Sequence, residues 1–263
     1  MSDRVIVTVG DHVAEVMLNR PDKYNALDLE MFRGIADALQ RLQHEPGVRA
    51  VVLHGTGDNF CAGIDLEVLT SGGEAAMTEL LSPVGDTGAT LAQWVAYGWR
   101  SLPVPVICAL RGIAYGGGFQ VAMGADLRYA APDTRMSIME ARWGLIPDMA
   151  ISATLRNVAP PDRIKELAFS ADVFDAAEGL QLGAITRIEE EPLEAARRMA
   201  ATIAGKSPDA IRGIKRLVNE AWTDTEARGL ALEARIQAEL LRAPNQAEAV
   251  RAGLEKRQAN FAD

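Results

Sequence analysis

Two continuous apolar runs, Ala50-Val51-Val52-Leu53 and Val104-Pro105-Val106-Ile107-Cys108-Ala109-Leu110, constrain the fold most. Neither alternates polar with apolar residues, so each reads as a strand buried on both faces, in a sheet covered by helices. Each stops in glycine-bearing sequence, His54-Gly55-Thr56-Gly57 and Arg111-Gly112, where the chain must turn. The neighbouring segments fit an α/β domain. Val5 to Val9 and Val13 to Leu18 form a hairpin about Gly10-Asp11-His12, and Asp28 caps an amphipathic helix carrying Leu29, Phe32, Ile35, Leu39 and Leu42.

Further along, Gly72 to Gly88 is rich in Gly, Ser, Thr and Asp and reads as a mobile connection. A helix over Leu91 to Leu102 follows, with Trp94, Tyr97 and Trp99 read as packing residues or walls of a site. Asp126 to Ala130 repeats the strand pattern. From 161 onward helices dominate, with a capping box at Asp175 and Glu178, a stop at Gly183, a start at Ser207-Pro208-Asp209 and a further helix over Glu226 to Arg242. The expected organisation is a core over 1–200 and a helical carboxy-terminal region over 201–263.

Composition removes several functions. With 36 acidic against 27 basic residues and a net charge of -9, the chain lacks the basic footprint of sequence-independent nucleic-acid binding or of a polybasic membrane contact. The stretch Met1 to Val9 has no apolar signal core, and no run approaches the ~20 residues of a membrane span; a soluble cytoplasmic protein is expected. His12, His44 and His54 have no metal-ligand spacing, so no metal site is expected. Cys61 and Cys108 read as free thiols, and Cys61 has no histidine at hand to activate it. His54 reads as a structural imidazole at a strand end. Gly55-Thr56-Gly57 opens like a dinucleotide fingerprint, but Phe60 stands where the third glycine belongs.

Two strand ends remain. Ala114-Tyr115-Gly116-Gly117-Gly118-Phe119 places three glycines between a buried strand and a helical pattern, and Asn59-Phe60-Cys61-Ala62-Gly63-Ile64-Asp65-Leu66 makes a second small-residue turn. Each alone reads as a tight turn. Together they could aim two backbone N–H groups at one oxygen and form an oxyanion hole.

These residues resemble the crotonase, or enoyl-CoA hydratase/isomerase, superfamily. The resemblance rests on Asn19-Arg20-Pro21 with Asn25-Ala26-Leu27, on Phe60 to Leu66, on Gly112 to Gly118, on Ala125-Asp126-Leu127-Arg128, and on Glu140 with Gly144-Leu145-Ile146-Pro147. It implies a spiral of ββα turns with carboxy-terminal helices that build homotrimers, often paired into hexamers. It implies an acyl-CoA substrate of fatty-acid β-oxidation type, no separate cofactor, and a thioester carbonyl held by the N–H groups of Ile64 and Gly117. CoA contacts are implied at Asn25, Ala26, Leu27, Ala62, Ile64, Asp65 and Leu66. Lys23 is implied near a phosphate, and Phe261 resembles a phenylalanine that reaches a neighbouring subunit's CoA.

Hydratases of the family carry two glutamates where this chain has Gln120 and Glu140. An amide exchanges no proton near neutral pH, so Glu140 is expected to act alone and to move a double bond, as the single-glutamate isomerases do. Asp148, eight residues on, occupies the position where dienoyl-CoA isomerases hold an aspartate; its plain reading is a helix cap, and that of Glu140 a surface ion pair with Arg135 or Arg142. Hydration through Glu140 aided by Asp148 or Gln120 is the enzymatic alternative, and a non-catalytic acyl-CoA- or RNA-binding member the other.

Overall fold

The protein was analysed as a computed structural model describing residues 4–70 and 73–263. Met1 to Asp3 of the amino-terminal stretch, and Gly72 at the head of the expected mobile connection, lie outside the described residues. Strand β1 (Val5–Gly10) pairs antiparallel with β2 (Val13–Leu18), and Asp11 and His12 turn between them with φ of 48° and 64°. In β2 the alternation buries Ala14, Val16 and Leu18. Helix α1 (Leu29–His44) starts where the Asp28 carboxylate accepts the Met31 N–H at 2.8 Å, and its apolar stripe Met31, Phe32, Ile35, Leu39 and Leu42 is buried.

Strands β3 (Ala50–Gly55) and β4 (Val106–Leu110) are parallel neighbours in the middle of a six-stranded sheet that also holds β6 (Leu127–Ala130) and β9 (Arg187–Ile188), in the order β1-β2-β3-β4-β6-β9. Their two-sided burial has a clear origin. Val51, Leu53, Val106, Cys108 and Leu110 face a core shared with α1 and α4 (Leu91–Ser101), while Ala50, Val52, Ile107 and Ala109 face α9 (Pro192–Ala204). Between β3 and β4 lie α2 (Leu66–Thr70) and α3 (Gly73–Leu80). The expected mobile connection thus contains a helix, because Glu74, Ala75, Ala76, Met77 and Leu80 favour one and Ala76 and Leu80 are buried beneath it.

After β4 the chain enters a second sheet. Strand β5 (Ile113–Tyr115) leads directly into α5 (Gly117–Met123), the chain returns through β6 (Leu127–Ala130) to the large sheet, and β7 (Arg135–Ser137) pairs parallel with β5. Helices α6 (Ile151–Thr154) and α7 (Pro161–Ser170) precede β8 (Phe174–Asp175), which completes the order β5-β7-β8; α8 (Ala176–Leu182) and β9 (Arg187–Ile188) follow. Asp175 caps α8 by accepting the Glu178 N–H at 2.9 Å, but the expected reciprocal box does not close: Glu178 Oε1 accepts Arg163 Nη2 instead. Gly183 ends α8 as expected.

Residue 200 lies inside α9, which still packs on the large sheet, and the helices beyond it are α10 (Pro208–Ala221), α11 (Glu226–Leu240) and α12 (Pro244–Glu255). Buried Lys215 ties α10 to the core, donating to Trp99 O, Val104 O and Asp126 Oδ2 at 2.8 to 3.1 Å. No helix among the described residues is long and apolar enough to cross a membrane.

Candidate active site

Three distant segments run side by side beyond the end of β3. Phe60 N–H donates to Arg111 O, Cys61 N–H to Ile113 O and Tyr115 N–H to Cys61 O, at 2.9 to 3.0 Å, so residues 60–61 follow β5. On the other flank Leu27 N–H donates to Gly63 O at 2.8 Å and Asp65 N–H to Leu27 O at 3.0 Å. Gly63 sits in the middle with φ of 89°, and a Cβ there would stand 2.5 Å from Tyr115 O and 3.4 Å from the Gly117 nitrogen. No L side chain fits that position. Among the described residues neither the Ile64 nor the Gly117 N–H donates to an acceptor.

Arg20 clamps this region. Its guanidinium is buried, donates to Asp65 Oδ2 at 2.6 Å and Ala26 O at 3.3 Å, and lies 3.5 Å from Asp28 Oδ2. Burial lowers the affinity of Arg20 for its proton, but the three carboxylates of Asp65, Asp28 and Asp22 outweigh that and hold its pKa up. Asn25 is fully buried, accepts the Arg20 N–H and donates to Thr56 O and Asn59 O. Its side chain therefore braces the loop, whereas Lys23 and Leu66 are exposed and Ala62 and Ile64 are half-buried.

The third wall is built by Gly116, Gln120 and Glu140. Gly116 has φ of 50°, donates its N–H to Ser137 O, and lies so close to Glu140 that a Cβ would approach Oε1 to 3.3 Å. Glu140 opens a 3₁₀ turn (Glu140–Trp143) directly after β7 and is buried, not ion-paired at the surface. Its Oε1 accepts Gln120 Nε2 at 2.6 Å, and Gln120 Oε1 in turn accepts the Met149 N–H at 2.9 Å. Glu140 Oε2 is buried without a hydrogen-bond partner among the described residues. Burial pushes the Glu140 carboxyl above the usual range; hydrogen bonds from its own N–H and from Gln120 oppose the shift, and the charge of Asp148 adds to it.

Asp148 is open to water in the single chain, yet the protein crowding it also raises its pKa. It is not a helix cap: α6 begins after Ala150, a left-handed residue, with no side-chain cap. Cys61 is fully buried and its thiol is pushed up to about 12, which leaves negligible thiolate near neutral pH. His54 is satisfied by Glu15 Oε1 and Gly55 O, each at 3.0 Å. Trp94 and Trp99 are buried in α4. Phe261 lies near the opposite end of β3, where its carbonyl accepts Arg49 Nη2 at 2.9 Å. Two cavities, of about 750 and about 490 Å³, flank α10 and do not include Glu140.

A profile described as enoyl-CoA hydratase/isomerase matches residues 8–263. The chain belongs to the enoyl-CoA hydratase/isomerase family. It is thus an enzyme of the crotonase superfamily, with that superfamily's fold. Within the family, it is 30% identical to the crotonyl-CoA hydratase of Syntrophomonas wolfei over 98% of both chains. It is 33% identical to the mitochondrial delta(3,5)-delta(2,4)-dienoyl-CoA isomerase of Mus musculus over 80% of this chain and 66% of that protein. A crystal structure of an enoyl-CoA hydratase from Polaromonas sp. JS666 shares 28% identity and superposes with a TM-score of 0.87 over 98% of this chain and 99% of its own.

Two contributors to the site leave little trace in the sequence. The clamp role of Arg20 was visible only as part of a motif, and the Met149 contact uses a backbone N–H, which leaves no residue-type signal.

Proposed function

We propose that the enzyme shifts a carbon–carbon double bond of an enoyl-CoA thioester, with Glu140 as the acid/base. The carrying observation is that Glu140 is paired at 2.6 Å with an amide, Gln120, where proton exchange would need a second acid. Glu140 takes a proton from C2 of a 3-enoyl-CoA, and the C–H electron pair moves into the thioester to give a dienolate. The N–H groups of Ile64 and Gly117 hold the developing oxyanion. Return of the proton at C4 closes the thioester carbonyl again and leaves a 2-enoyl-CoA, with no water consumed. A raised Glu140 pKa suits a group that must both accept and return a proton.

The CoA portion is proposed to pass residues 25–27 and 62–66, with Lys23 available to a phosphate and Phe261 offered to a neighbouring subunit. The exposed apolar residues Ile214 and Val218 on α10 and Trp222 at its carboxy-terminal cap support a homotrimer or a dimer of trimers.

The test is the absorbance of the conjugated thioester. A gain from 3-enoyl-CoA, abolished in Glu140→Gln, is expected; fast loss from 2-enoyl-CoA would instead favour hydration, with Asp148 or Gln120 assisting. Unchanged turnover in Glu140→Gln would return the chain to a binding role or to another catalyst.

A further inference from the structure

We propose that Gln120 is a positioning residue: it commits Glu140 Oε1 as a hydrogen-bond acceptor and leaves Oε2 as the one oxygen that exchanges a proton with substrate. This rests on the reading of Glu140 as the acid/base.

The two ends of the Gln120 amide look alike but differ in chemistry. The Met149 N–H points at one end of the Gln120 side chain, 2.9 Å away. A backbone N–H can only donate, so that end must be the oxygen. The NH₂ end is then obliged to face Glu140, 2.6 Å from Oε1. A donor at that distance needs a lone pair on Oε1, and the carbonyl oxygen of a carboxyl is a better acceptor than its hydroxyl, so the contact directs the proton to Oε2. The backbone of Met149 thereby decides, through Gln120, which carboxyl oxygen is spent.

The surroundings enforce the choice. Gln120 and Met149 are both buried, and a Cβ on Gly117 would come 2.8 Å from Met149 Sδ, so the Met149 side chain is lodged against the glycine turn. On its other side Oε1 is backed by the Gly116 backbone. Oε2 has no such company: it is buried and unpartnered among the described residues. An acceptor left in that state is costly, a cost that a proton-carrying oxygen has a reason to bear. Asp148 is the charged group that acts on this carboxyl from the adjoining segment, and its charge favours keeping a proton there.

Glutamate at 120 would reproduce this arrangement only while protonated. Its protonated oxygen could donate to Glu140 Oε1 and its carbonyl could accept from Met149, but once ionised it would repel Glu140.

The experiment measures kcat, KM and the pH dependence of kcat/KM for the wild type, Gln120→Met, Gln120→Glu and Glu140→Gln on 3-enoyl-CoA, with circular dichroism on each. Gln120→Met removes the donor at similar volume. It is expected to lower kcat about 10- to 100-fold with KM nearly unchanged and to move the acidic limb of the profile to higher pH. Gln120→Glu is expected to work on the acid side and to lose activity as pH rises through the range where the wild type is level. An unshifted limb in Gln120→Met, or a Gln120→Glu profile parallel to the wild type, overturns the proposal. If Glu140→Gln is inactive while those profiles are unshifted, the positioning role alone fails; if Glu140→Gln is fully active, the acid/base reading fails first.

Discussion

Arg20 Nη1 lies 2.6 Å from Asp65 Oδ2, and through that contact the Asn25–Leu27 turn and the Gly63–Leu66 turn are held as one unit. Both groups are nearly buried. Removing one member of such a pair strands the other charge, at a cost of about 3 kcal/mol or more. Arg20→Met is therefore expected to lower the unfolding free energy obtained from urea titration by about that amount and to raise KM for acyl-CoA more than it lowers kcat. Unchanged stability and KM would show that the clamp is idle.

The strands of the large sheet were legible because β3 and β4 are buried on both faces, which leaves an uninterrupted apolar run, and α1 because Asp28 and the 3.6-residue stripe coincide. The α3 helix was not, since its first residue Gly73 and the Ser82-Pro83 that follows it carry loop composition while the burial of Ala76 and Leu80 is a tertiary fact. Within the site, Gln120 and Glu140 could be named from the family resemblance, but the Gln120 orientation depends on the Met149 N–H and Asp148's freedom from capping depends on Ala150 taking a left-handed conformation.

Glu140 also predicts how stability responds to pH. Its folded-state pKa is raised, so between the ordinary glutamate value and that raised value the folded chain binds more protons than the unfolded one. Stability on this account falls as pH rises through the interval. Glu140→Gln removes the buried charge, so its thermal midpoint should exceed that of the wild type near neutral pH, and by less near pH 4. A gap that stays constant from acid to neutral pH would contradict the shift.

Gly63 tests the geometry of the turn. A methyl group there would meet Tyr115 O at 2.5 Å in a backbone conformation that L residues avoid. Gly63→Ala should cost at least about 1 kcal/mol of stability and most of the activity, because the 61–65 and 113–117 segments must part. Wild-type kcat in this variant would remove the turn from the site.

Ile214 and Val218 on α10 and Trp222 at its carboxy-terminal cap are exposed. If they form the subunit contact, Trp222→Asp should shift the mass measured by light scattering from a trimer or hexamer toward the monomer. A monomeric wild type would contradict the assembly.

The central claim is that a double bond moves and no water is added. Its most direct test is mass spectrometry of the product formed from 3-enoyl-CoA in heavy-oxygen water. The account predicts a 2-enoyl-CoA isomer without heavy oxygen as the first product, formed at the full catalytic rate and lost in Glu140→Gln. No turnover of 3-enoyl-CoA, together with rapid entry of heavy oxygen into a 3-hydroxyacyl-CoA made from 2-enoyl-CoA, would contradict it.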